Sequence, residues 1–210
     1  MKNSALVVID LQNDITKNYR EIIGNVNTAI DRAVKNELYI VYIRHNNLSD
    51  GTRTFKPGTR GADWVPELNV VSEHIFTKTK SNALTSEDFA AFIREHGITE
   101  FYLVGADAAA CIKSTCFNMT KSGYAVHVLS DCITSYDKKK IPEMLTYYES
   151  KGCSVMLLQE VMHSITLVPE TPKTCTTDGN KEHFKCNVFG EVFKDAGGVE
   201  SLTEEKVKIP

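Results

Sequence analysis

The feature that most constrains this chain is an alternation of short apolar runs of strand length with amphipathic stretches of helical period, sustained to about residue 158. Residues 5–9 form a continuous apolar run closed by Asp10, the pattern of a central strand covered on both faces. Ile22, Val26, Ala29, Ile30, Ala33 and Val34 then recur at a spacing that lays one apolar stripe along a helix, with Asn25, Asp31, Arg32 and Lys35 on the wet side. Residues 39–43 read as a second buried strand, and Ile75 with Phe76 as a short third. Thr85 or Ser86 caps a helix that carries Phe89, Phe92, Ile93 and His96 on one face and ends at Gly97. A strand over 101–104, a helix from Cys111 to about Ser122, a strand over 126–129, a helix opened by Pro142 and a strand over 154–158 complete the series. Strands separated by helices must run parallel, with right-handed crossovers, so the expectation is an α/β fold, a three-layer α/β/α sandwich on a mostly parallel sheet.

The rhythm breaks after Gln159, where Pro169, Pro172, Gly179 and a polar middle precede a possible short helix near residues 188–195. The domain boundary is therefore placed at 160, with 161–210 as a C-terminal extension on the same domain or on a neighbouring subunit. Apolar residues in that tail point to a homo-oligomer.

Composition narrows the function. A net charge of -3, with no basic run longer than Lys138, Lys139 and Lys140, offers no field for nucleic acid. No stretch approaches the roughly 20 apolar residues of a membrane span, and the N-terminus lacks a signal-peptide pattern, so a soluble, cytoplasmic protein is expected. The six cysteines lie scattered through helix and strand positions and are read as mostly reduced. No Cys-x-x-Cys pair signals structural zinc or a thioredoxin-type site.

Ligands of open parallel sheets bind beyond the carboxyl ends of the strands, and three chemically capable residues fall there. Asp10 closes the first strand, Lys78 follows the third, and Cys111 begins the helix after the Gly105 turn. A cysteine at a helix start is biased towards thiolate by the helix dipole and nearby cations, and an adjacent carboxylate can take its proton. The small residues from Gly105 to Ala110 let backbone N–H groups approach a carbonyl and form an oxyanion hole. Taken singly, Cys111 reads as a small buried hydrophobe, Asp10 as a turn residue and Lys78 as a surface charge; their convergence on one sheet edge raises their interest.

These residues sit in three segments that resemble the isochorismatase-like cysteine hydrolases, a family that includes nicotinamidases and N-carbamoylsarcosine amidases. They are Val7-Val8-Ile9-Asp10-Leu11-Gln12-Asn13-Asp14, Ile75-Phe76-Thr77-Lys78 with Ser81-Asn82-Ala83-Leu84, and Gly105 to Cys111 continued by Ile112-Lys113-Ser114-Thr115. The resemblance spans roughly residues 5–158 and implies a Rossmann-like sheet. It also implies hydrolysis of a C–N bond in a small amide or carbamoyl compound through a thioester, with Cys111 as nucleophile, Asp10 as proton shuttle and Lys78 as their electrostatic partner. The backbone N–H groups of Asp107 and Cys111 would form the oxyanion hole, the former exposed by a cis peptide after Ala106. Asn82, Trp64, Arg53 and Tyr136 are candidate substrate contacts.

The chain also departs from the family pattern. Metal-dependent nicotinamidases carry an aspartate and two histidines after the second strand, whereas this chain reads Arg44-His45-Asn46-Asn47-Leu48-Ser49-Asp50. Neither metal nor cofactor is therefore expected, nicotinamide is disfavoured as substrate, and His45 reads as a polar loop residue. Asp107 and Ala108 stand where the family has a bulkier residue and a threonine, and a solvated Asp107 is expected. Two alternatives remain: a vinyl ether hydrolase of the isochorismatase type, which needs no nucleophilic cysteine, and an idle binding or assembly module on the same fold. A redox pair of Cys111 with Cys116 is disfavoured, because five residues along a helix point about 140° apart.

Overall fold

The computed structural model describes residues 3–161, 165–174, 177–186, 190–195 and 200–209. The chain divides into two compact units, residues 1–159 and 160–210.

The first unit is built on a six-stranded sheet. In chain order its elements are β1 (Ser4–Ile9), α1 (Ile23–Lys35), β2 (Tyr39–His45), β3 (Ile75–Lys78), α2 (Glu87–Glu95), β4 (Glu100–Gly105), α3 (Lys113–Lys121), β5 (Ala125–Ile133), α4 (Ile141–Ser150) and β6 (Ser154–Met156). The strands lie in the order β3-β2-β1-β4-β5-β6, and every pairing is parallel. β1 therefore sits inside the sheet, and its residues 5–9 are fully buried. Alternation along the strand sends Ala5, Val7 and Ile9 into a core shared with Phe89, Phe92 and Ile93 of α2, Cys116 and Met119 of α3, and Met144 and Tyr148 of α4. Leu6 and Val8 are buried on the opposite face, where α1 brings Val26, Ala29 and Ile30. Each such valine, leucine, isoleucine, phenylalanine or methionine side chain contributes about 1.5–3 kcal/mol relative to an exposed one.

Because all strands point one way, their carboxyl ends share an edge. β2 and β3 each run further than the apolar pattern suggests, so that His45 and Lys78 are strand residues and direct register partners. β5 likewise continues to Ile133, whereas β6 stops at Met156. A disulfide joins Cys116 of α3 to Cys153 ahead of β6, Cα atoms 7.0 Å apart, which corrects the reduced reading for that pair. Cys111 and Cys132 are free, and Cys175 lies outside the described residues.

In the second unit, β7 (Ile165–Val168), β9 (His183–Cys186), β10 (Val192–Phe193) and β11 (Ser201–Leu202) form an antiparallel sheet in the order β11-β10-β9-β7. β8 (Gly179–Asn180) pairs with β12 (Lys208–Ile209), which follows the short α5 (Glu204–Val207). The helix expected near 188–195 is not found over residues 190–195. Val192 and Phe193 instead satisfy their backbone groups between two antiparallel neighbours, and residues 188–189 lie outside the described residues. Among the described residues no helix is long and apolar enough to cross a membrane.

Gly105 joins the sheet to the site. Its φ of +112° is a conformation that side chains oppose, and a Cβ there would lie 2.2 Å from the carbonyl oxygen of Ile9. Gly105→Ala is therefore expected to lower stability by at least about 2 kcal/mol in thermal or urea unfolding. Gly24→Ala, where an added Cβ meets nothing within 4 Å on a helix, should gain up to about 1 kcal/mol. Equal effects of the two substitutions would refute the close approach.

Candidate active site

Asp10, Lys78 and Cys111 meet at the carboxyl edge of the sheet. The Lys78 ammonium donates to Asp10 Oδ2 at 2.7 Å, to Cys111 Sγ at 3.3 Å and to His45 Nδ1 at 3.1 Å. Lys78 and Asp10 are each 1% exposed. A charge so deeply buried persists only when it is paired and its hydrogens are used, and an ammonium has three to place. The second oxygen of Asp10, Oδ1, is buried and has no hydrogen-bond partner among the described residues. Asp10 itself has a φ of +53°, and its N–H donates to the carbonyl of Ile43 at 3.0 Å, which turns the chain out of β1.

The seat of Cys111 is a π-helical turn over Ala108–Ile112 that runs into α3. Three groups fix it. The Asp107 carboxylate caps the turn, accepting from the Ala109 N–H at 2.7 Å, while the Asp107 carbonyl accepts from the Ala110 and Ile112 N–H groups. The buried Tyr148 hydroxyl of α4 donates to the Ala108 carbonyl. Thr115 accepts from the Ala83 N–H at 3.0 Å, which ties the segment after Lys78 to the helix after Cys111. The Ala106–Asp107 peptide is cis, and the Asp107 N–H has no acceptor among the described residues.

Asp107 differs from the solvated residue expected of it. It is 7% exposed, and its carboxylate also accepts from Ser135 Oγ and, at 2.6 Å, from the Tyr136 N–H. Its charge is thus absorbed by the turn it builds, although the residue borders the cavity.

Electrostatics also differ from the expectation of a thiolate. Burial pushes the Cys111 thiol up to about 12, and the neighbouring Asp10 charge adds to that while Lys78 opposes it. Burial raises the Asp10 carboxyl as well, against the pull of Lys78. The helix start is outweighed, and the sulfur rests as a thiol. His45 is shifted down, first by burial and then by Lys78, so its ring is neutral at neutral pH.

A cavity of about 360 Å³ opens over Cys111. Its apolar wall is Ile15, Phe55, Ala109, Ala110 and the ring of Tyr136, with Ser81 and Lys140 as polar points. Of the four candidate contacts, Tyr136 borders the cavity and the other three do not. Asn82 caps the turn after Lys78 through Leu84 N–H, Trp64 packs on Tyr42 and Arg44, and Arg53 is exposed on the long loop between β2 and β3. Phe55 and Ser81 were hidden in loop sequence, where no period marks an inward side chain. His45 was misread as a loop residue; it ends β2, and Gln12 clamps its backbone, donating to its carbonyl at 2.9 Å and accepting from its N–H at 2.7 Å.

Asp10, His45 and Cys111 offer ligand-type atoms within 4.8 Å of one another, the one such group among the described residues. All three contact the Lys78 ammonium. The place of a metal ion is taken by a lysine cation, and the donor set does not fit a metal.

The family model for the isochorismatase domain matches residues 4–160. A Dictyostelium discoideum isochorismatase family protein is 23% identical, over 82% of this chain and 86% of its own. An Arabidopsis thaliana relative named as a probable inactive nicotinamidase is 26% identical, over 62% of this chain and 80% of its own. Among solved structures, the zinc complex of Pyrococcus horikoshii pyrazinamidase has a TM-score of 0.67 at 22% identity, covering 74% of this chain and 99% of that one. The N-carbamoylsarcosine amidase of Thermoplasma acidophilum has a TM-score of 0.68 at 21% identity, covering 77% and 99%. With its domain matched from the first strand of the sheet to beyond the last, the chain belongs to the isochorismatase family.

Proposed function

We propose that the protein is a cysteine hydrolase that cleaves the C–N bond of a small amide or carbamoyl compound through a thioester on Cys111. The observation that carries this reading is the single buried ammonium bonded both to the carboxylate of Asp10 and to the sulfur of Cys111 at the floor of a cavity. The amidase names among the structural neighbours agree with it. A cavity of about 360 Å³ is at the small end for ligand sites and suits a metabolite-sized molecule.

In this mechanism the Asp10 carboxylate takes the thiol proton as Cys111 Sγ bonds to the carbonyl carbon. The oxyanion is received by the N–H groups of Asp107 and Cys111. Asp10 returns its proton to the leaving nitrogen as the C–N bond breaks, leaving a thioester. Water, deprotonated by Asp10, then attacks the acyl carbon, and the restored thiol departs with the acid. Lys78 keeps its charge throughout, facing carboxylate in the resting site and sulfur anion when the proton has moved.

Turnover of an amide and carbamoyl panel tests the reading, with intact-mass detection of the acyl-enzyme. Cys111→Ala is expected to reduce hydrolysis by at least about 10³-fold and to abolish the mass adduct. Full activity of that variant on a vinyl ether would favour isochorismatase-type chemistry, and no turnover by the native chain would favour a binding module.

The two charged partners act on the thiol with opposite sign, so its titration should order the variants. Asp10→Asn removes the anion that raises the thiol and Lys78→Met removes the cation that lowers it. Alkylation of Cys111 by iodoacetamide, followed against pH by peptide mass, is expected to titrate lowest in Asp10→Asn and highest in Lys78→Met. Asp10→Asn should nonetheless lose on the order of 10²–10⁴ in kcat, having lost its proton carrier. The opposite order of titration would remove the electrostatic basis of the mechanism.

A further inference from the structure

The third hydrogen of Lys78 ends on a group that the steps above do not employ. An ammonium only donates, so His45 Nδ1, 3.1 Å from Lys78 Nζ, is a bare acceptor nitrogen. The single hydrogen of the neutral ring must then be on Nε2. That atom has no partner among the described residues, and His45 borders the cavity. The residue is held by its neighbours. Its backbone is clamped by Gln12 and it is the register partner of Lys78. Its face meets Phe55 at 5.5 Å between centroids and 77° between planes.

We propose that His45 is a positioning and specificity-determining residue: Nδ1 aims the Lys78 ammonium at Asp10 and Cys111, and Nε2–H donates to an acceptor atom carried by the substrate beside its scissile carbonyl. The inference rests on the hydrolase reading for its second half. The acceptor lies beside the reacting carbon because His45 and Cys111 border the same small cavity. The charged groups facing the ring are Lys78 from β3 and Asp10 from the end of β1, and Cys111 faces it from the π-helical turn. A 2-oxo amide has the required arrangement, with a carbonyl oxygen next to the amide carbon. A branched alkyl amide of the same shape lacks it.

Heteronuclear NMR of ¹⁵N-histidine-labelled protein tests both halves, since bare and hydrogen-bearing ring nitrogens resonate far apart. The expected result is a bare Nδ1 and a protonated Nε2 at neutral pH, with the ring titrating below the ordinary value of about 6.5. In the non-reacting Cys111→Ala variant, pyruvamide should shift the Nε2 resonance and isobutyramide should leave it in place. In turnover, His45→Phe should cut the pyruvamide-to-isobutyramide ratio of kcat/KM about tenfold, and His45→Gln, which keeps a donor and an acceptor, should restore it. A hydrogen on Nδ1, a charged ring at pH 7, or an equal response to both amides overturns the proposal. Failure of the native protein to hydrolyse either amide counts against the hydrolase reading instead, and the resonance positions still decide the role of His45.

Discussion

The structure turns on a lysine cation placed where water cannot reach it. An isolated ammonium in such a position would cost several kcal/mol, and Lys78 offsets that by having an acceptor for each hydrogen. Those acceptors come from the ends of two strands and from one helical turn, and the lysine itself ends a third strand. The demand of a single charge thus fixes the relative positions of β1, β2, β3 and the turn before α3, and the site is as rigid as the sheet beneath it. The geometry also decides the resting chemistry. Burial raises the thiol first and the Asp10 charge adds to it against Lys78, so the sulfur of Cys111 rests as a thiol with a carboxyl group as its neighbour.

Sheet and site are legible in the sequence to different depths. The apolar run over residues 5–9 forecast a strand covered on both faces because nothing but double burial explains five apolar residues without alternation, and the structure buries all five. The three segments around Asp10, Lys78 and Cys111 were visible because their residue types fall at strand ends. The boundaries were less so. Lys78 and His45 are polar, so a hydrophobic pattern ends the strand too soon, yet their backbones pair as strand and only their side chains turn to the site. The same polarity hid the true place of His45.

Other features depend on contacts between distant residues. Asp107 became a buried cap because Ser135 and Tyr136, 28 and 29 residues away, bring it donors, and no local pattern announces them. Cys116 and Cys153 come together through the packing of α3 against α4, with a separation of 37 residues. The pair β10–β9 in the tail was missed for a related reason: Val192 and Phe193 form a strand too short to show a period.

Gln12 holds a further consequence. Its amide grips the end of β2 on one side and, through the Ala62 carbonyl at 2.8 Å, the long loop on the other. Main-chain bonds from Leu11, Asn13 and Asp14 to Val65, Asp63 and Gly61 continue the seam, and the stretch of loop that brings Phe55 to the cavity lies upstream of it. Changes in residues 47–58 therefore reach the site through Phe55, whose ring packs on His45, so the shape of the rim and the setting of the lysine's third acceptor vary together.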